Sequence, residues 1–302
     1  MAITTLTSSD SQFLASLKNL SQIMTRAQQQ LASGKRISAP SDDPAQIGVI
    51  LQDQADLSGV QQTTTNLNRL NTEAQSASTA LENSAKLLDQ ARTLATQGAS
   101  DTSSAGTRTL LAGQIQAIET QFVGLANSSD SGRYLFAGDA DDTAPYSIDF
   151  ANTPPYVAIS TALATRVGID ASGATFPVAM TATEIFNNPD PANNILQSLE
   201  RLRLALLAND GDSIRSAAGS LGTAANHLGD VQSFYGSVED RITSALSDAS
   251  SRALNLQKDL AGLTDADTAQ AILDEQTAQT QQQAALAMRA KLPKGSLFDL
   301  LG

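Results

Sequence analysis

The stretch LASGKRISAPSDDPA, residues 31–45, separates two long helical patterns and so decides how the chain folds. Gly34 can adopt the positive φ with which many helices end. Lys35 and Arg36 then lie near the negative end of the dipole of that helix, which favours basic side chains. The stretch therefore predicts a sharp corner after a first helix, and we call residues 34–46 the corner loop.

The second half of the corner loop carries residue types that begin a helix. Ser41 is the predicted N-cap, and Pro44 falls in the first turn, where its missing N–H costs nothing. Asp42 and Asp43 lie near the positive end of the helix dipole. Because two bases and two acids fall within nine residues, we also expect an ion pair across the loop, between Arg36 and one of the two acids.

The helix before the corner loop shows one narrow apolar stripe with a single charged member. Its residues alternate at spacings of three and four, which is typical of a coiled-coil seam: Ile3, Leu6, Asp10, Phe13, Leu17, Leu20, Met24, Ala27 and Leu31. A stripe this narrow buries little area, and a lone helix of this length is marginally stable in water. We therefore expect this helix to need a partner.

Helical periodicity resumes over residues 47–95, and a third helix follows the Gly- and Ser-rich stretch 97–106. From about Gly132 the pattern changes to short alternating runs among many prolines and aromatics, which is typical of strands and turns. DASG (170–173) is a predicted hairpin turn between two of these runs. Residues 141–189 are therefore predicted to form a small β-rich insert.

The C-terminal part of the chain is helical again. One apolar stripe keeps a constant phase from Ile214 to Leu263, and the glycines within it predict bends or close packing. Thr264 is the predicted N-cap of a final helix, which runs to Pro293 and is followed by the apolar tag SLFDLLG. Slender helices are thus expected at both ends of the chain, free to meet as a pair.

Composition and charge favour a helical protein and exclude several partners. The 302 residues include no Cys, no Trp and 4% aromatics, which suits helices that meet along narrow stripes. The net charge of −12 is concentrated in residues 51–240, with nine basic and twenty-one acidic side chains. Without a basic patch, nucleic acid is not an expected partner. No run of about 18 apolar residues predicts a membrane span, and the first twenty residues lack the features of a cleaved signal peptide.

Catalytic and metal-binding motifs are missing from the sequence. No G-x-S-x-G, P-loop or Cys nucleophile is present, and a HExxH site needs two histidines where the chain has only His227. We interpret His227 as a packing or surface residue. Asp139, Asp141 and Asp142 lack the ordered spacing of a Ca²⁺ loop, so we interpret them as a solvated acidic turn. Neither an enzyme nor a cofactor is expected, although the helical stripes alone would also allow a cytoplasmic coiled-coil scaffold.

Several stretches resemble one protein family. QLASGKRISAPSDDPA (30–45) resembles the signature L-[AS]-[ST]-G-x-[KR]-I-x-x-[AP]-x-D-D-[PA]-A near the N-terminus of bacterial flagellins and their relatives. GRYLFAGD (132–139), FYGSVEDRI (234–242) and the C-terminal helix also match stretches of that family. DDPAQ in place of the usual DDAAG, together with GRYLFAG, favours the hook-associated protein 3 group over filament flagellins. A minor flagellin is the alternative within the family.

The resemblance implies a mainly α fold with a small β-rich insert, in which the N- and C-terminal halves form a long antiparallel helical bundle or coiled coil. Three parts are expected. Residues 1–45 with 255–302 would be terminal polymerisation helices that are disordered in the monomer, and residues 46–140 with 190–254 would be a helical rod domain. Residues 141–189 would be the outer insert.

The resemblance also implies a structural role at the hook–filament junction of the flagellum, as an adaptor on which flagellin polymerises. The implied partners are hook-associated protein 1, flagellin, a flagellar export chaperone and further copies of the chain in a ring-like homo-oligomer. The protein would be extracellular, exported through the flagellar type III channel without a cleaved signal peptide.

The candidate site residues fall into two groups. The predicted assembly interface comprises Ile3, Leu6, Phe13, Leu17, Leu20, Met24, Leu31, Leu273, Leu286, Leu292, Leu297, Leu300 and Leu301. The predicted corner motif comprises Gly34, Arg36, Asp42, Asp43 and Pro44.

Overall fold

The structure is a computed structural model that describes residues 8–291, with side chains from residue 11 onward. The chain divides into two compact units. We call Met1–Ser58 with Ala253–Gly302 the terminal unit, and Gly59–Arg252 the body unit. In both units, a helix from the N-terminal half of the chain and a helix from the C-terminal half contribute to the structure.

The described residues form helices at both ends of the chain and short strands in the middle, so the predicted fold class is confirmed. In chain order the elements are α1 (Ser8–Ser33), α2 (Ile47–Ala99), α3 (Ala105–Ala126), β1 (Ser129–Asp130), β2 (Arg133–Tyr134), β3 (Tyr146–Ile148), β4 (Tyr156–Ala158), β5 (Val167–Ile169), β6 (Thr175–Pro177), α4 (Ala182–Ile185), α5 (Ile195–Leu207), α6 (Gly211–Thr264) and α7 (Thr268–Lys291).

The body unit is built on four long helical segments that share one hydrophobic core. α2 and α6 run antiparallel, because Gly98 lies beside Ile214 near one end while Ser78 hydrogen bonds to Glu239 further along. α3 packs along α5. Leucine, isoleucine and aromatic side chains from all four helices are fully buried there, and this burial is the main stabilising contribution to the unit.

α6 contains four glycines for which the stripe predicts bends or close packing: Gly219, Gly222, Gly229 and Gly236. A Cβ at any of them would meet nothing within 4 Å outside the local helix backbone, so the prediction of close packing is wrong. They lie beside the buried stripe rather than on it, and the helix continues through them. Among the glycines within the described helices, the closely packed one is Gly98 of α2, where a Cβ would lie 2.4 Å from Leu206 Cδ2.

The middle of the chain forms three two-stranded antiparallel hairpins, β1–β2, β3–β4 and β5–β6. The predicted DASG turn joins β5 to β6, where the carboxylate of Asp170 accepts hydrogen bonds from the backbone N–H groups of Ser172 and Ala174. Phe136 follows β2 and is buried, with its ring centroid 5.6 Å from that of Phe186 and 6.2 Å from that of Tyr235. These edge-on contacts attach the hairpin region to the helices.

Candidate functional site

α1 and α7 form an antiparallel pair within the terminal unit. Gln28 Nε2 donates a hydrogen bond to Glu275 Oε1 at 3.0 Å in one part of the pair. The guanidinium carbon of Arg289 lies 5.6 Å from the ring centroid of Phe13 in the other part. The predicted partner of the first helix is therefore the last helix described in the same chain.

Burial on α1 follows the stripe predicted from the sequence. Ala27 is buried, and half-buried side chains flank it along the same face: Phe13, Leu17, Leu20, Met24 and Leu31. On α7 the stripe with the least exposure consists of small and polar residues instead, again at spacings of four and three: the buried Ala271 and Ala278, and the half-buried Glu275, Gln282 and Ala285. The large apolar stripe of α1 therefore packs on an alanine-rich stripe of α7, which lets the two helices approach closely.

The large apolar side chains of α7 lie outside this packed stripe. The predicted interface residues Leu273 and Leu286 are 56% and 50% exposed, and Ile272 and Met288 are exposed as well. Among the described residues, nine of the seventeen exposed large hydrophobic side chains belong to the terminal unit: Leu14, Ile23, Val49, Leu51, Leu254, Ile272, Leu273, Leu286 and Met288. The predicted residues Ile3, Leu6, Leu292, Leu297, Leu300 and Leu301 lie outside the part of the chain that the structure describes.

The described part of the terminal unit buries few large apolar side chains. Its buried hydrophobic residues are Ala27, Ile37, Ile50, Ala271 and Ala278. Three of these are alanines, which each remove much less apolar area from water than a leucine does. The terminal unit thus combines a small core with a large exposed apolar surface, and we call its nine exposed apolar residues the apolar surface.

The corner loop begins as the sequence predicts. Gly34 has φ +67°, and its N–H donates to the carbonyl oxygen of Gln30 at 2.8 Å, so it ends α1 in the left-handed conformation that glycine tolerates. The predicted cap of α2 is wrong, because α2 begins at Ile47, the residue from which the sequence predicts helical periodicity. Ser41 is therefore not its cap, and Pro44 lies in the turn before it rather than in its first helical turn.

Asp42 closes a turn of the corner loop instead of facing a helix terminus. Its Oδ2 accepts hydrogen bonds from the backbone N–H groups of Ser38 and Ala39, both at 2.8 Å. The hydrogen bonds from Ser38 and then Ala39 hold the pKa of Asp42 below its usual value. Because its carboxylate is engaged in this turn, Asp42 is not the acid that pairs with Arg36.

Arg36 pairs with Asp43 and also reaches another segment of the chain. Its Nη1 lies 3.4 Å from Asp43 Oδ2, so one of the two predicted pairings is present. Its Nη2 donates to the carbonyl oxygen of Leu263 at 2.8 Å and to Gln46 Oε1 at 3.4 Å. Arg36 therefore joins the corner loop to the C-terminal end of α6, a contact that the sequence does not predict.

The turn between α6 and α7 pairs with the corner loop through the backbone. The Arg36 N–H donates to the carbonyl oxygen of Thr264 at 2.7 Å, and the Ala266 N–H donates to that of Gly34 at 2.9 Å. Lys35 Nζ forms an ion pair with Asp265 Oδ1 at 2.7 Å. The hydrogen bond from Lys35 lowers the pKa of Asp265. The two turns are thus fixed side by side.

The start of α7 differs from the prediction. Thr264 is the last residue of α6, and its hydroxyl donates to the carbonyl oxygen of Leu260 at 2.8 Å. Asp267 is the N-cap of α7, since its Oδ1 accepts from the Gln270 N–H at 3.0 Å. Thr264 cannot be this cap because it still belongs to α6, and three further residues precede the first residue of α7.

The other candidate sites have structural roles in the described chain. Asp139 accepts hydrogen bonds from the backbone N–H and the hydroxyl of Thr165, while Asp141 forms ion pairs with Arg133 and Arg166. Among the described residues, no group of three or more His, Cys, Asp or Glu side chains is arranged to hold a metal ion. His227 is half-buried, with Nε2 3.0 Å from the carbonyl oxygen of Glu184. No described helix is both long and apolar enough to cross a membrane.

Two family descriptions match most of the chain. The bacterial flagellin N-terminal helical region matches residues 3–141, and the bacterial flagellin C-terminal helical region matches residues 218–301. Flagellar hook-associated protein 3 of Escherichia coli (strain K12) is 32% identical over 127 residues, which cover 39% of this chain. The aligned segment spans 38% of the length of that relative.

Solved structures of flagellar proteins share the fold. A protein described as flagellar hook-associated from Vibrio parahaemolyticus matches with a TM-score of 0.66 and 21% identity, over 74% of this chain and 100% of that one. The flagellar junction protein FlgL of Legionella pneumophila matches with a TM-score of 0.54 and 16% identity, over 67% of this chain and 100% of that one. The resemblance seen in the sequence motifs is confirmed by these matches together. The chain belongs to the bacterial flagellin family.

Proposed function

We propose that the chain is a structural protein of the bacterial flagellum that acts as an adaptor at the hook–filament junction, on which flagellin polymerises. The observation that carries this proposal is the apolar surface of the terminal unit, which is exposed beside a small core. Exposed apolar residues that gather into a large patch are typical of interaction sites, and we propose that these nine residues belong to such a site. The names of the relatives, hook-associated protein and flagellar junction protein, support this location.

The terminal unit supports the proposal because its own packing leaves so much apolar surface uncovered. α1 packs on the alanine-rich stripe of α7, while Leu273 lies on the opposite side of that helix and Leu286 lies beside the stripe, and both leucines are exposed. Additional chains that cover these leucines would remove apolar area from water and stabilise the pair. We therefore infer that residues 1–45 with 255–302 are polymerisation helices, which are largely disordered in the isolated chain, where the α1–α7 pair forms only part of the time, and are stably folded in the assembly.

The proposed partners follow from this position. Hook-associated protein 1 would lie on one side of the adaptor layer and flagellin on the other, with further copies of the chain around a ring. A flagellar export chaperone would hold the chain before export, which would proceed without a cleaved signal peptide and place the protein outside the cell.

Residues 46–140 with 190–254 would be the helical rod domain, and residues 141–189 the outer insert. No catalysis, cofactor, metal, nucleic acid or membrane is part of this role.

Deletion of the gene tests the proposal when it is combined with electron microscopy of the cells. The expected result is hooks without filaments and flagellin in the culture medium, because the surface on which flagellin polymerises is missing. Immunogold labelling of wild-type flagella should place the protein in one band between hook and filament. Normal filaments in the deletion strain, with label along the filament of the wild type, would identify a minor flagellin instead.

A further inference from the structure

A buried cluster of three ionisable side chains lies where α3 packs on α5, in the body unit. Glu119 of α3 is 1% exposed, and Glu200 and Arg203 of α5 are its charged neighbours. Arg203 donates to both carboxylate oxygens of Glu200, from Nε at 2.7 Å and from Nη2 at 2.8 Å. Its Nε lies 3.4 Å from Glu119 Oε2. The guanidinium group is thus committed mainly to Glu200.

The charges and hydrogen bonds of this cluster do not balance if both acids are ionised. Two carboxylates would face one guanidinium group, and neither oxygen of Glu119 accepts a hydrogen bond from any described group. A buried carboxylate without hydrogen bonds is strongly disfavoured. One proton added to the pair would remove the excess charge and give Glu119 a donor that faces the carboxylate of Glu200.

Among the described residues, the elements around the cluster supply no second cation to it. Arg201 on α5 is exposed and makes no described hydrogen bond to either acid. The hydroxyl of Tyr146 on β3 lies 3.2 Å from Thr183 Oγ1, away from the acids. Burial, with the charges of Glu200 and Glu119, raises the pKa of Tyr156 on β4 to about 12, so this tyrosine stays neutral at physiological pH. The aromatic ring of Phe150 covers the Arg203 guanidinium group, with its centroid 5.6 Å from the guanidinium carbon.

We propose that Glu119 and Glu200 share one proton in the folded chain, and that loss of this proton weakens the packing of α3 on α5. The packing between these two core helices of the body unit is then sensitive to pH. The proposal concerns the body unit alone and is independent of the function proposed for the terminal unit.

The protonation equilibrium supports the same conclusion and sets the pH range. Burial, followed by the charge of Glu200, raises the pKa of Glu119 from 4.5 to about 8. A group that holds its proton more tightly in the folded than in the unfolded chain stabilises the fold fully below its unfolded pKa. That contribution is lost as the pH rises towards the folded pKa. Stability from this cluster should therefore decrease between about pH 4.5 and pH 8.

Infrared spectroscopy of the folded full-length chain at pH 7 tests the shared proton directly. We expect a carbonyl stretching band of a protonated carboxyl group, which moves on transfer to deuterated water and is absent from the Glu119→Gln variant. Wild-type protein without any protonated carboxyl band at pH 7 would overturn the proposal. This measurement needs only the wild-type chain, so it decides the question even if the variant does not fold.

Thermal unfolding across pH tests the consequence for packing. Between pH 6 and pH 9, the Tm of the wild type should fall by about 5 °C more than that of Glu119→Gln, whose amide keeps a donor towards Glu200 but cannot titrate. Glu82→Gln, at an exposed position of α2, is the matched control and should follow the wild type. Parallel pH profiles for wild type and Glu119→Gln would contradict the proposed pH dependence of the α3–α5 packing. A purely structural role of Glu119 would shift Tm equally at every pH.

Discussion

Arg36 donates a hydrogen bond to the backbone carbonyl oxygen of Leu263 at 2.8 Å, and this bond ties the corner loop to the last turn of α6. The same side chain lies 3.4 Å from Asp43 within its own loop. Arg36 therefore connects segments that are more than two hundred residues apart in the sequence. α1 ends at one of these turns and α7 begins at the other. The geometry of the two turns therefore determines how α1 and α7 pack against each other.

Charge reversal at Arg36 should destabilise the terminal unit, and reversal at Asp43 should rescue it in part. The double variant Arg36→Asp with Asp43→Arg restores the ion pair, whose coupling we expect to be about 0.5 kcal/mol at this partly exposed site. It does not restore the hydrogen bond to Leu263. Filament counts in complemented cells, together with the helical content of the purified chain, measure both effects.

The acid next to Asp43 provides the matched control for this experiment. Asp42→Arg should not rescue Arg36→Asp, because Asp42 accepts hydrogen bonds from Ser38 and Ala39 and does not pair with Arg36. Equal rescue by the two acids would show that only the net charge of the loop matters and not the observed pairing.

Leu286→Asp should prevent filament formation while the isolated chain stays as stable as the wild type. The side chain is 50% exposed and lies beside the alanine-rich stripe, so an aspartate there disturbs neither the α1–α7 packing nor the body unit. It would bury an unpaired charge in an assembly that covers this face. Circular dichroism and electron microscopy of complemented cells are the measurements.

A polar neighbour controls for the added charge. Gln283→Asp changes an exposed position of the same helix without removing apolar surface, and we expect filaments of normal number. If Leu286→Asp cells also make normal filaments, the exposed leucines of α7 are not part of the interface.

Leu20→Asp should act differently from Leu286→Asp, because Leu20 belongs to the half-buried stripe that packs on α7. The loss of apolar contact and the introduced charge should cost about 2 kcal/mol, which is enough to separate a pair with so small a core. Proteolysis of the purified chain should then cleave α1 rapidly and leave the body unit intact. Protection of α1 equal to that in the wild type would mean that this stripe does not hold the pair together.

Arg108→Met should destabilise the body unit by about 3 kcal/mol. The buried guanidinium group donates to the carbonyl oxygens of Gly98, Ser100 and Asn209, so the variant leaves several backbone acceptors without their donor. Arg92→Met, at a half-exposed surface ion pair, should cost less than about 0.5 kcal/mol. Chemical denaturation compares the two, and similar losses would show that Arg108 is not a structural link between these loops.

Local chemistry made the helices and the first half of the corner predictable. Apolar spacing identified the stripe of α1, and Gly34 was recognised because a helix end favours a residue that tolerates positive φ. The choice of Asp43 over Asp42 as the partner of Arg36 was not decidable, since both acids have the same chemistry and differ only in which backbone N–H groups they reach. The cap of α2 was misassigned because Ser41 and Pro44 are as typical of turns as of caps.

Contacts between residues that are far apart in the sequence could not be predicted in the same way. The carbonyl oxygens of Leu263 and Thr264 that bind Arg36 are backbone atoms, and every residue carries one. The packing stripe of α7 was missed because Ala271 and Ala278 are small. Leu273 and Leu286 were predicted instead because they are large apolar residues, although both are exposed and lie outside that stripe. The buried Glu119 likewise looks like any surface glutamate until α5 is packed against α3.

Electron cryomicroscopy of isolated flagella, focused on the segment between hook and filament, tests the central claim most directly. The account predicts a layer of this chain in which neighbouring subunits cover Leu273 and Leu286. Density that shows the chain in that layer with both leucines facing solvent, or that lacks the chain in that layer, would contradict the account.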